Sequence, residues 1–315
     1  MSRRAHLIVN PSSGRELAPE FASTIAARLR QRYDAVEMTM TTGDGDAHGA
    51  AAAAAEAGCD AIFVAGGDGT VNETVNGVAA ARALRSVHLG IVPLGTGNDF
   101  AAALDIPFDV EQALDVLLRE RLLAVDLGRL NGRLFVNTSG GGFIADVSVA
   151  VTPQLKTLAG RLAYLIGGAQ ALLDYDPLRA TVRAEPGRIR LGAALYAFAI
   201  CNSRLIGGGR LIAPAAVIDD GLLDLCLIES MRTVEFVALV RKVADGEHVH
   251  DPRVRYVQAS EITIELDREV NVNTDGEVFT ASRCEYSVLP RAAMFLAGER
   301  PFAVGVQAGG SGNGV

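Results

Sequence analysis

The glycine-rich stretch from Ala65 to Glu73 constrains the fold of this chain more than any other. The apolar residues at 60–65 have the length of a buried strand, and residues 71–80 have the composition of a helix. A strand, a glycine loop and a helix form an arrangement that binds phosphate. Glycine lets the main chain approach the anion, and N–H groups at the start of the helix point at it.

Asp68 lies inside this loop, where its carboxylate would repel a phosphate. A cation between the two groups removes the conflict, and hard divalent cations prefer oxygen ligands. Asp68 therefore predicts magnesium. Two other interpretations stay open. One is a glycine turn needed only for packing, and the other is a dinucleotide-binding fingerprint, although Asn72 replaces the third glycine of that pattern.

A second glycine loop, from Pro93 to Asp99, follows a strand predicted at 87–92. The other strands and helices predicted in this half are strands at 6–9 and 33–40 and helices at 18–32, 50–55, 100–104 and 109–123. Strands that alternate with helices predict a doubly wound parallel sheet, which binds ligands at the carboxyl ends of its strands. Both glycine loops should then lie on one edge of the sheet.

The pattern changes near Asp126, after which helices are few. Strands are predicted at 134–136, 180–184, 189–200, 222–228, 262–266, 270–273 and 284–289. Two helices interrupt them, at 155–173 and 233–244. We therefore expect an α/β domain followed by an all-β domain with the architecture of a β-sandwich.

The charge balance argues against nucleic acid as a partner. The net charge is −8, whereas phosphate neutralisation needs clustered cations. Lysine occurs only at Lys156 and Lys242, so a Walker loop and a protein-kinase strand lysine are both absent. Any phosphate in the first half must be held by main-chain amides, hydroxyls, arginines and a metal.

Several features indicate a cytoplasmic protein. The four cysteines are far apart and form no Cys-x-x-Cys pair, so we expect reduced thiols, and no signal peptide is visible. The apolar segment at 155–173 is too short and too interrupted to cross a membrane. It is either a packing helix or an element that faces lipid, since its leucines share one side beside Lys156 and Arg161.

Three motifs in this order resemble the catalytic family of diacylglycerol kinases. They are Asn10-Pro11-x-Ser13-Gly14, Gly66-Gly67-Asp68-Gly69-Thr70-x-Asn72-Glu73 and Pro93-Leu94-Gly95-Thr96-Gly97-Asn98-Asp99. The resemblance is to the soluble bacterial lipid kinase branch, related to sphingosine and ceramide kinases. It implies ATP-dependent phosphorylation of a lipid hydroxyl, on a fold similar to NAD kinase and phosphofructokinase.

The resemblance also implies an assignment of domains. Residues 1–127 would form the nucleotide-binding α/β domain, and residues 128–303 would form a β-sandwich lipid-substrate domain whose end can pack back on the first domain. ATP would lie in the cleft between them. The remaining residues, 304–315, are expected to form a disordered tail, because glycine and small polar residues dominate them.

ATP and metal contacts follow from the same resemblance. The implied ATP-binding residues are Asn10, Pro11, Ser12, Ser13, Gly14, Thr41, Gly66, Gly67, Asp68, Gly69, Thr70, Val71, Asn72 and Thr96. A structural magnesium would be held by the Asp220 carboxylate and the carbonyls of Val217 and Leu222, where a plain turn is the alternative. Asp68 and Asp126 would hold the catalytic magnesium through water, unless Asp126 is only a solvated turn residue.

The segment from Thr274 to Glu277 is the candidate site of the catalytic base. Asp-Gly between two strands is also a common hairpin turn. However, a lipid hydroxyl is a poor nucleophile and needs a positioned base, usually a carboxylate in phosphoryl transfer. The resembling family has its base in this Asp-Gly-Glu motif. Glu277 or Asp275 would serve, with Glu277 slightly favoured, and the choice stays open.

The sequence does not identify the lipid, because diacylglycerol, a sphingoid base and other lipids all offer one hydroxyl beside an apolar body. The expected partner is a lipid at the inner face of the membrane, reached transiently by a cytoplasmic protein. Two other functions stay open, a soluble small-molecule kinase related to NAD kinase and a non-catalytic nucleotide-binding regulator. The oligomeric state is also open, and a homodimer would be compatible with everything above.

Overall fold

A computed structural model of the chain describes residues 2–13, 18–43, 45–143, 145–146, 175–186 and 189–303. The helix predicted at 155–173, the tail predicted at 304–315 and Gly14 lie outside these residues. The described residues divide into two compact units. The first unit takes its residues from Met1–Asp126, Val217–Asp220 and Pro290–Val315, and the second from Leu127–Ala216 and Gly221–Leu289.

The described secondary structure alternates at first and then consists mainly of strands. The strands are β1 (Arg4–Val9), β2 (Ala35–Met40), β3 (Ala61–Gly66), β4 (His88–Pro93), β5 (Leu122–Leu130), β6 (Arg133–Phe135), β7 (Thr138–Gly142), β8 (Leu178–Glu185), β9 (Ile189–Cys201), β10 (Leu205–Ile206), β11 (Arg210–Leu211), β12 (Leu223–Glu229), β13 (Val254–Ala259), β14 (Glu261–Thr274) and β15 (Glu277–Leu296). The helices are α1 (Ala18–Leu29), α2 (Asp46–Glu56), α3 (Asp68–Ala80), α4 (Asp99–Ala103), α5 (Val110–Leu117) and α6 (Thr233–Lys242), and two 3-10 helices follow at Val243–Asp245 and Glu247–His250.

The first unit is built on a parallel sheet in the order β2-β1-β3-β4. The last part of β15 joins β4 in parallel, with Met294 opposite His88. All six residues of β3 are buried, as expected for a strand covered on both faces. The predicted doubly wound parallel sheet is confirmed, and α2 shows that the alanine-rich segment is helical.

The second unit is built from antiparallel strands. β9 pairs with β8 through its first half and with β7 and β12 through its second half, while β14 pairs with β8, β7 and β15. One apolar core gathers around Phe135, Phe198 and Ile264, and another around Phe143, Tyr196 and Phe236 on α6. The predicted all-β architecture of the second half is confirmed. The functional domains predicted at 1–127 and 128–303 stay predictions, because compactness alone assigns no function.

Three predicted elements are wrong in extent. The helix predicted at 109–123 ends at Leu117, and β5 begins at Leu122. Glu120 has a left-handed backbone (φ +56°), and its carboxylate accepts a hydrogen bond from the guanidinium of Arg3 at 3.1 Å, which directs the chain away from the helix. The two strands predicted at 262–266 and 270–273 are one strand, β14, whose pairing with β15 shifts register between Glu265 and Val270.

No helix in the described ranges has the length and hydropathy that crossing a bilayer requires. The four cysteine side chains are buried and carry free thiols. Burial raises the pKa of the Cys59 thiol to about 11, and of the Cys226 thiol to about 12, so these thiols stay protonated at neutral pH. They are packing residues of the two units.

Candidate functional site

The predicted ATP-binding residues follow the carboxyl ends of four neighbouring parallel strands in the first unit. Asn10 follows β1, and its N–H donates to the carbonyl of Ala65 at 2.9 Å. Thr41 follows β2, and its N–H donates to the carbonyl of Val9 at 2.8 Å. β3 ends at Gly66 and pairs in register with β4 as far as Pro93. The prediction that both glycine loops share one edge of the sheet is confirmed.

The two glycine loops touch through their main chains. A Cβ atom placed on Gly95 would lie 2.5 Å from the Cα of Gly67, closer than any real side chain approaches. A Cβ on Gly66 would lie 2.9 Å from the Cβ and Oγ1 atoms of Thr70. Gly95 is therefore required by the close approach of the two loops, and Gly66 by the approach of its loop to α3.

The start of α3 offers main-chain N–H groups at the same edge. Gly67 is the N-cap residue in an extended conformation, and the first intrahelical bond of the helix runs from the Val71 N–H to the Gly67 carbonyl at 3.1 Å. The N–H groups of the preceding residues in the first turn have no partner within the helix by its geometry. The positive end of the helix dipole adds to them, so this terminus suits an anion such as a phosphate.

Asn10 connects the β1 loop to α3. Its side-chain Nδ2 donates to the Oγ1 of Thr70 at 2.9 Å, while its Oδ1 accepts from the N–H of Ser12 at 3.0 Å. The N–H of Ser13 donates to the Asn10 carbonyl at 3.2 Å, so Asn10 organises the turn that contains Pro11. A hydroxyl and an amide at this position could also contact a nucleotide.

The Asp68 carboxylate joins the first glycine loop to α4. Its Oδ1 accepts from the Phe100 N–H at 3.0 Å, and its Oδ2 accepts from the Asp99 N–H at 3.2 Å. Burial raises the pKa of the Asp68 carboxyl, the Phe100 N–H opposes that rise, and the charge of Asp99 adds to it. Asp68 therefore caps α4, a role that the sequence did not predict.

The donor set at Asp68 also fits a hard cation. A carboxylate has about four lone-pair sites, so an oxygen that caps a helix can still accept from the water shell of magnesium. Within the residues that the structure describes, no cluster of three or more histidine, cysteine, aspartate and glutamate side chains could hold a metal directly. Any cation beside Asp68 would therefore be held largely through water, phosphate and carbonyl oxygens.

The second glycine loop is closed by its own asparagine. Asn98 has a left-handed backbone (φ +55°), and its side chain accepts from the Gly95 N–H at 2.9 Å and donates to the Gly95 carbonyl at 2.8 Å. Thr96, the predicted ATP contact in this loop, is exposed at its tip. The sequence motif contained Asn98, but the bonds that give it a role need the folded loop.

Two predicted ATP contacts, Val71 and Asn72, have side chains that face the interior. Each is 2% exposed, and the Asn72 Oδ1 accepts from the side chain of Asn76 at 3.2 Å within α3. Thr41 is likewise buried, whereas Gly69 is exposed beside Asp68.

Asp126 is fully buried at the end of the first unit's main segment. Its Oδ1 accepts from the Arg291 N–H at 2.6 Å, and its own N–H donates to the carbonyl of Ile218 at 2.7 Å. These contacts connect Asp126 with the segment that contains Val217 and Asp220. The predicted pairing of Asp126 with Asp68 around a catalytic metal stays a prediction.

The predicted structural magnesium segment is a tight turn. The Ile218 N–H donates to the Phe302 carbonyl at 2.8 Å, and the Arg291 Nε donates to the Asp219 carbonyl at 3.4 Å. Gly221 has a left-handed backbone (φ +77°), so the turn requires glycine there. One carboxylate and two carbonyls, from Asp220, Val217 and Leu222, stay the predicted ligands.

Asp275 is the buried member of the two base candidates in the second unit. It is 8% exposed and lies in the turn between β14 and β15. Its Oδ2 accepts from the N–H groups of Val136 at 2.6 Å and Asn137 at 3.1 Å, and its Oδ1 accepts from the Thr138 N–H at 2.8 Å. These three bonds hold residues 136–138 against the turn.

Glu277, the other candidate, is accessible. Half of its side chain is exposed, and its Oε2 lies 3.3 Å from the Nη1 of Arg133. The Arg133 guanidinium carbon in turn lies 5.1 Å from the centroid of the Phe279 ring. A substrate can therefore reach Glu277, whereas the Asp275 carboxylate is already occupied by main-chain donors.

A buried group of hydroxyls lies beside this turn and was not predicted. The Ser139 Oγ is 3.0 Å from the Thr274 Oγ1 and 3.1 Å from the Tyr286 hydroxyl. Burial raises the pKa of the Tyr286 hydroxyl well above its usual value, so it stays protonated and available as a donor. The three residues come from β7, β14 and β15, and only strand pairing brings them together.

Comparisons with known proteins cover most of the chain. Residues 4–130 match the family described as diacylglycerol kinase catalytic domain, and residues 140–297 match the one described as YegS C-terminal NAD kinase beta sandwich-like domain. The second description agrees with the predicted β-sandwich. Together the two matches include the glycine loops and the turn that contains Asp275 and Glu277.

Individual relatives carry the name diacylglycerol kinase. The protein from Bacillus subtilis (strain 168) is 33% identical over 278 residues, which cover 87% of this chain and 90% of that protein. The protein from Staphylococcus aureus (strain Newman) is 34% identical over 277 residues, covering 88% of this chain and 87% of the relative. Both alignments span the two units.

Solved structures show the same fold. A crystal structure from Bacillus anthracis str. Sterne, described as a candidate diacylglycerol kinase, superposes with a TM-score of 0.80 at 26% identity, covering 95% of this chain and 97% of that chain. A second structure from the same organism has a TM-score of 0.73 at 22% identity, covers 95% of this chain and 98% of that one, and supports the fold alone.

Proposed function

The chain belongs to the diacylglycerol kinase catalytic family, and on that premise we propose that it transfers the γ-phosphoryl group of ATP to the hydroxyl of a lipid, with diacylglycerol the first candidate. The family supports a lipid kinase. The relatives' name supports diacylglycerol over a sphingoid base or NAD. The proposed ATP site, magnesium ligands and catalytic base rest on the residues described above.

The observation that carries the proposal is the contact between the two glycine loops. Gly67 and Gly95 approach through their main chains beside the first turn of α3. The first turn of α3 adds main-chain N–H donors that suit an anion. The triphosphate of ATP would lie over the amides of Gly66–Gly69, with Asn10 and Thr70 supplying polar side chains beside it.

Charge on the phosphates must be offset without lysine, since none occurs before Lys156. Asp68 and Asp126 would hold magnesium, both through water. Magnesium, when bound, neutralises charge on the transferring group. The structural magnesium at Val217, Asp220 and Leu222 is proposed separately, as a brace for the turn at Gly221.

Glu277 is the proposed base. As the lipid hydroxyl oxygen bonds to the γ-phosphorus, the bond from that phosphorus to the bridging oxygen of ADP breaks, and the hydroxyl proton passes to the Glu277 carboxylate. Half of the Glu277 side chain is exposed, so a substrate can reach it. Asp275 contributes by holding residues 136–138, because its two oxygens already accept three main-chain bonds.

The lipid substrate requires contact with a membrane surface. We propose a cytoplasmic enzyme that binds the inner face of the membrane transiently, and a homodimer stays a prediction. The family relationship and the absence of a candidate spanning helix among the described residues are compatible with peripheral binding.

The test is phosphoryl transfer to an extracted lipid. The full-length protein, with magnesium and γ-labelled ATP, is incubated with a total bacterial lipid extract and separately with diacylglycerol, a sphingoid base or NAD. Labelled phosphatidic acid is the expected product. The Glu277→Gln variant serves as the control, because it removes the proposed base while keeping the size of the side chain.

Any labelled product other than phosphatidic acid, or no labelled product, would change the proposed substrate or the proposed function. Label in the sphingoid base alone would change the substrate and keep the lipid kinase. Label in NAD alone would establish the small-molecule kinase. ATP binding without a labelled product in any arm would favour the non-catalytic regulator and overturn the proposal.

A further inference from the structure

Arg133 lies between two side chains of β15. It is the first residue of β6, and its Nη1 lies 3.3 Å from the Oε2 of Glu277. Its guanidinium also lies over the ring of Phe279, 5.1 Å from the centroid. Glu277 and Phe279 are two residues apart on one strand and so face the same side. Arg133 therefore contacts both in one orientation.

The position of Arg133 is fixed on its amino-terminal side by Asn131. The Asn131 side chain donates to the Arg283 carbonyl at 2.9 Å and accepts from the Glu285 N–H at 2.9 Å, while the Asn131 N–H donates to the Glu285 carbonyl at 3.0 Å. The turn at Asn131 and Gly132 has left-handed backbones (φ +47° and +91°), as a tight hairpin requires.

The carboxyl-terminal side is fixed by Asp275, whose carboxylate holds residues 136–138 through three hydrogen bonds. Two sets of hydrogen bonds, from Asn131 and from Asp275, thus attach both ends of the short segment that carries Arg133 to the β14–β15 hairpin. We call these two sets the clamps. The main chain beneath the guanidinium cannot move relative to Glu277 without breaking one clamp. This is a rigid support for an ion pair whose own side chains are half exposed.

Stability does not account for the ion pair that this support carries. Ion pairs in water are screened and contribute little to folding. Orientation matters more, since a free glutamate side chain samples several rotamers and a base must be held near its proton. The ion pair uses one carboxylate oxygen of Glu277, Oε2, and half of the side chain is exposed.

We propose that Arg133 is a positioning residue for the acceptor base, with its guanidinium, supported on the Phe279 ring, holding the Glu277 carboxylate in the orientation that receives the hydroxyl proton. This inference rests on the proposed function. Nothing in the sequence motifs singled out Arg133, because the contact depends on pairing between β5, β6 and β15.

The chain offers a matched control in Arg283. This exposed arginine lies on β15 and pairs with Glu265 at 2.8 Å and Glu285 at 2.7 Å, and among the described residues it contacts none assigned to chemistry. Arg283→Met removes these two ion pairs from an arginine about as exposed as Arg133. The main-chain carbonyl of Arg283 that accepts from Asn131 is unaffected by this change.

The experiment measures kcat and KM for ATP and diacylglycerol in mixed phosphatidylglycerol and diacylglycerol vesicles. The variants are Arg133→Met, Arg133→Lys and Arg283→Met, each alone and combined with Glu277→Gln. We expect Arg133→Met to lower kcat about 10-fold with both KM values within about twofold. Arg133→Lys should recover most of kcat, and Arg283→Met should match the wild type.

The combined variants give the readout that a structural role would not produce. If Arg133 acts through Glu277, adding Arg133→Met to Glu277→Gln lowers the residual kcat no further. An additive loss, a wild-type kcat in Arg133→Met, a change confined to KM, or a Lys variant as slow as the Met variant would each overturn the inference. Failure of the proposed function would be seen separately, as the absence of lipid phosphorylation by the wild type.

Discussion

The Asp275 carboxylate accepts a hydrogen bond of 2.6 Å from the N–H of Val136, a residue 139 positions earlier in the chain. Val136 precedes β7, and Asp275 follows β14, so the bond lies where these two paired strands meet, although they are far apart in the sequence. It explains how one Asp-Gly-Glu motif serves two purposes. Its first acid organises the main chain, and its last acid faces the solvent.

Asp275→Asn is expected to destabilise the protein. Asparagine keeps one oxygen but places an NH₂ group opposite a buried N–H, and it removes the charge that strengthens the three bonds. Losing charge-assisted hydrogen bonds and leaving a buried donor unsatisfied costs about 3 kcal/mol. Urea unfolding followed by circular dichroism measures the change. An unfolding free energy equal to that of the wild type would show that the clamp adds nothing.

Glu277→Gln is expected to change activity and not stability. Its side chain is half exposed, so the unfolding free energy should stay within about 0.5 kcal/mol of the wild type. Loss of a general base lowers kcat by about 100-fold or more. Steady-state kinetics with lipid and ATP measure kcat and the KM for ATP, and urea unfolding measures the stability. An increase in the KM for ATP at unchanged kcat would mean that Glu277 binds nucleotide instead.

Gly95→Ala is expected to impair ATP use. The new Cβ would lie 2.5 Å from the Cα of Gly67, so the two loops must separate. A shift of that kind misplaces the phosphates and should raise the KM for ATP about 10-fold or more. Gly49→Ala is the control, because that glycine lies in α2 with no atom within 4 Å. Equal KM values for the two variants would contradict the role of the loop contact.

Gly128→Ala is expected to destabilise the second unit. Its Cβ would lie 2.0 Å from the ring of Phe135, a fully buried residue that cannot move aside. Overpacking of this kind costs about 3 kcal/mol, and Phe135→Leu in the same protein should recover part of it. Gly192→Ala, an exposed site in β9 with no atom within 4 Å, should be neutral or slightly stabilising. Denaturant unfolding measures the stability of Gly128→Ala, of Gly128→Ala combined with Phe135→Leu, and of Gly192→Ala, and we expect it to increase in that order.

His248 is expected to make stability depend on pH. It is fully buried, its Nε2 lies 3.1 Å from the Ile212 carbonyl, and its Nδ1 has no hydrogen-bond partner among the residues that the structure describes. Burial lowers the pKa of its imidazole, the Ile212 carbonyl partly opposes this, and His250 adds to it. A folded pKa below the unfolded value of about 6.5 contributes stability above that pH, which is lost as the pH falls toward the folded value.

The measurement compares unfolding free energies at about pH 7 and about pH 5. His248→Gln keeps a donor for the Ile212 carbonyl and does not titrate, so it should lose less stability over this interval than the wild type. His250→Gln changes an exposed histidine of the same 3-10 helix and should behave much like the wild type. If the unfolding free energy changed equally with pH in all three proteins, His248 would be excluded as the source of the pH dependence.

Local sequence patterns predicted most of the first unit, apart from the strand that replaces the end of the helix predicted at 109–123. The strand, glycine loop and helix around Asp68 form where the apolar run and the glycines predicted them, and β3 and β4 lie side by side. The role of Asp68 as a cap for α4 could not be predicted, because its partners Asp99 and Phe100 lie 31 and 32 residues away. Only the parallel pairing of the strands brings them within reach.

The second unit was harder to predict because its strands break local rules. β7 contains three glycines, which weaken any strand pattern, yet a Cβ on Gly141 would lie 2.4 Å from the Phe198 ring. The polar residues between Glu265 and Val270 indicated a break, whereas a register shift absorbs them within β14. The contact between Arg133 and Glu277 depends on the pairing of β6 with β5 and of β5 with β15, and it has no signature in the sequence.

The surface proposed to bind phosphate at Gly66–Gly69 offers peptide nitrogens as its donors, and no lysine occurs in the first 155 residues. A peptide nitrogen cannot be acetylated, carbamylated or condensed with an aldehyde. Reagents and metabolites that inactivate other ATP-using enzymes by modifying an active-site amine therefore have no target on this surface. Inhibitors of such a site must compete by shape and charge, since covalent chemistry at an amine is closed to them.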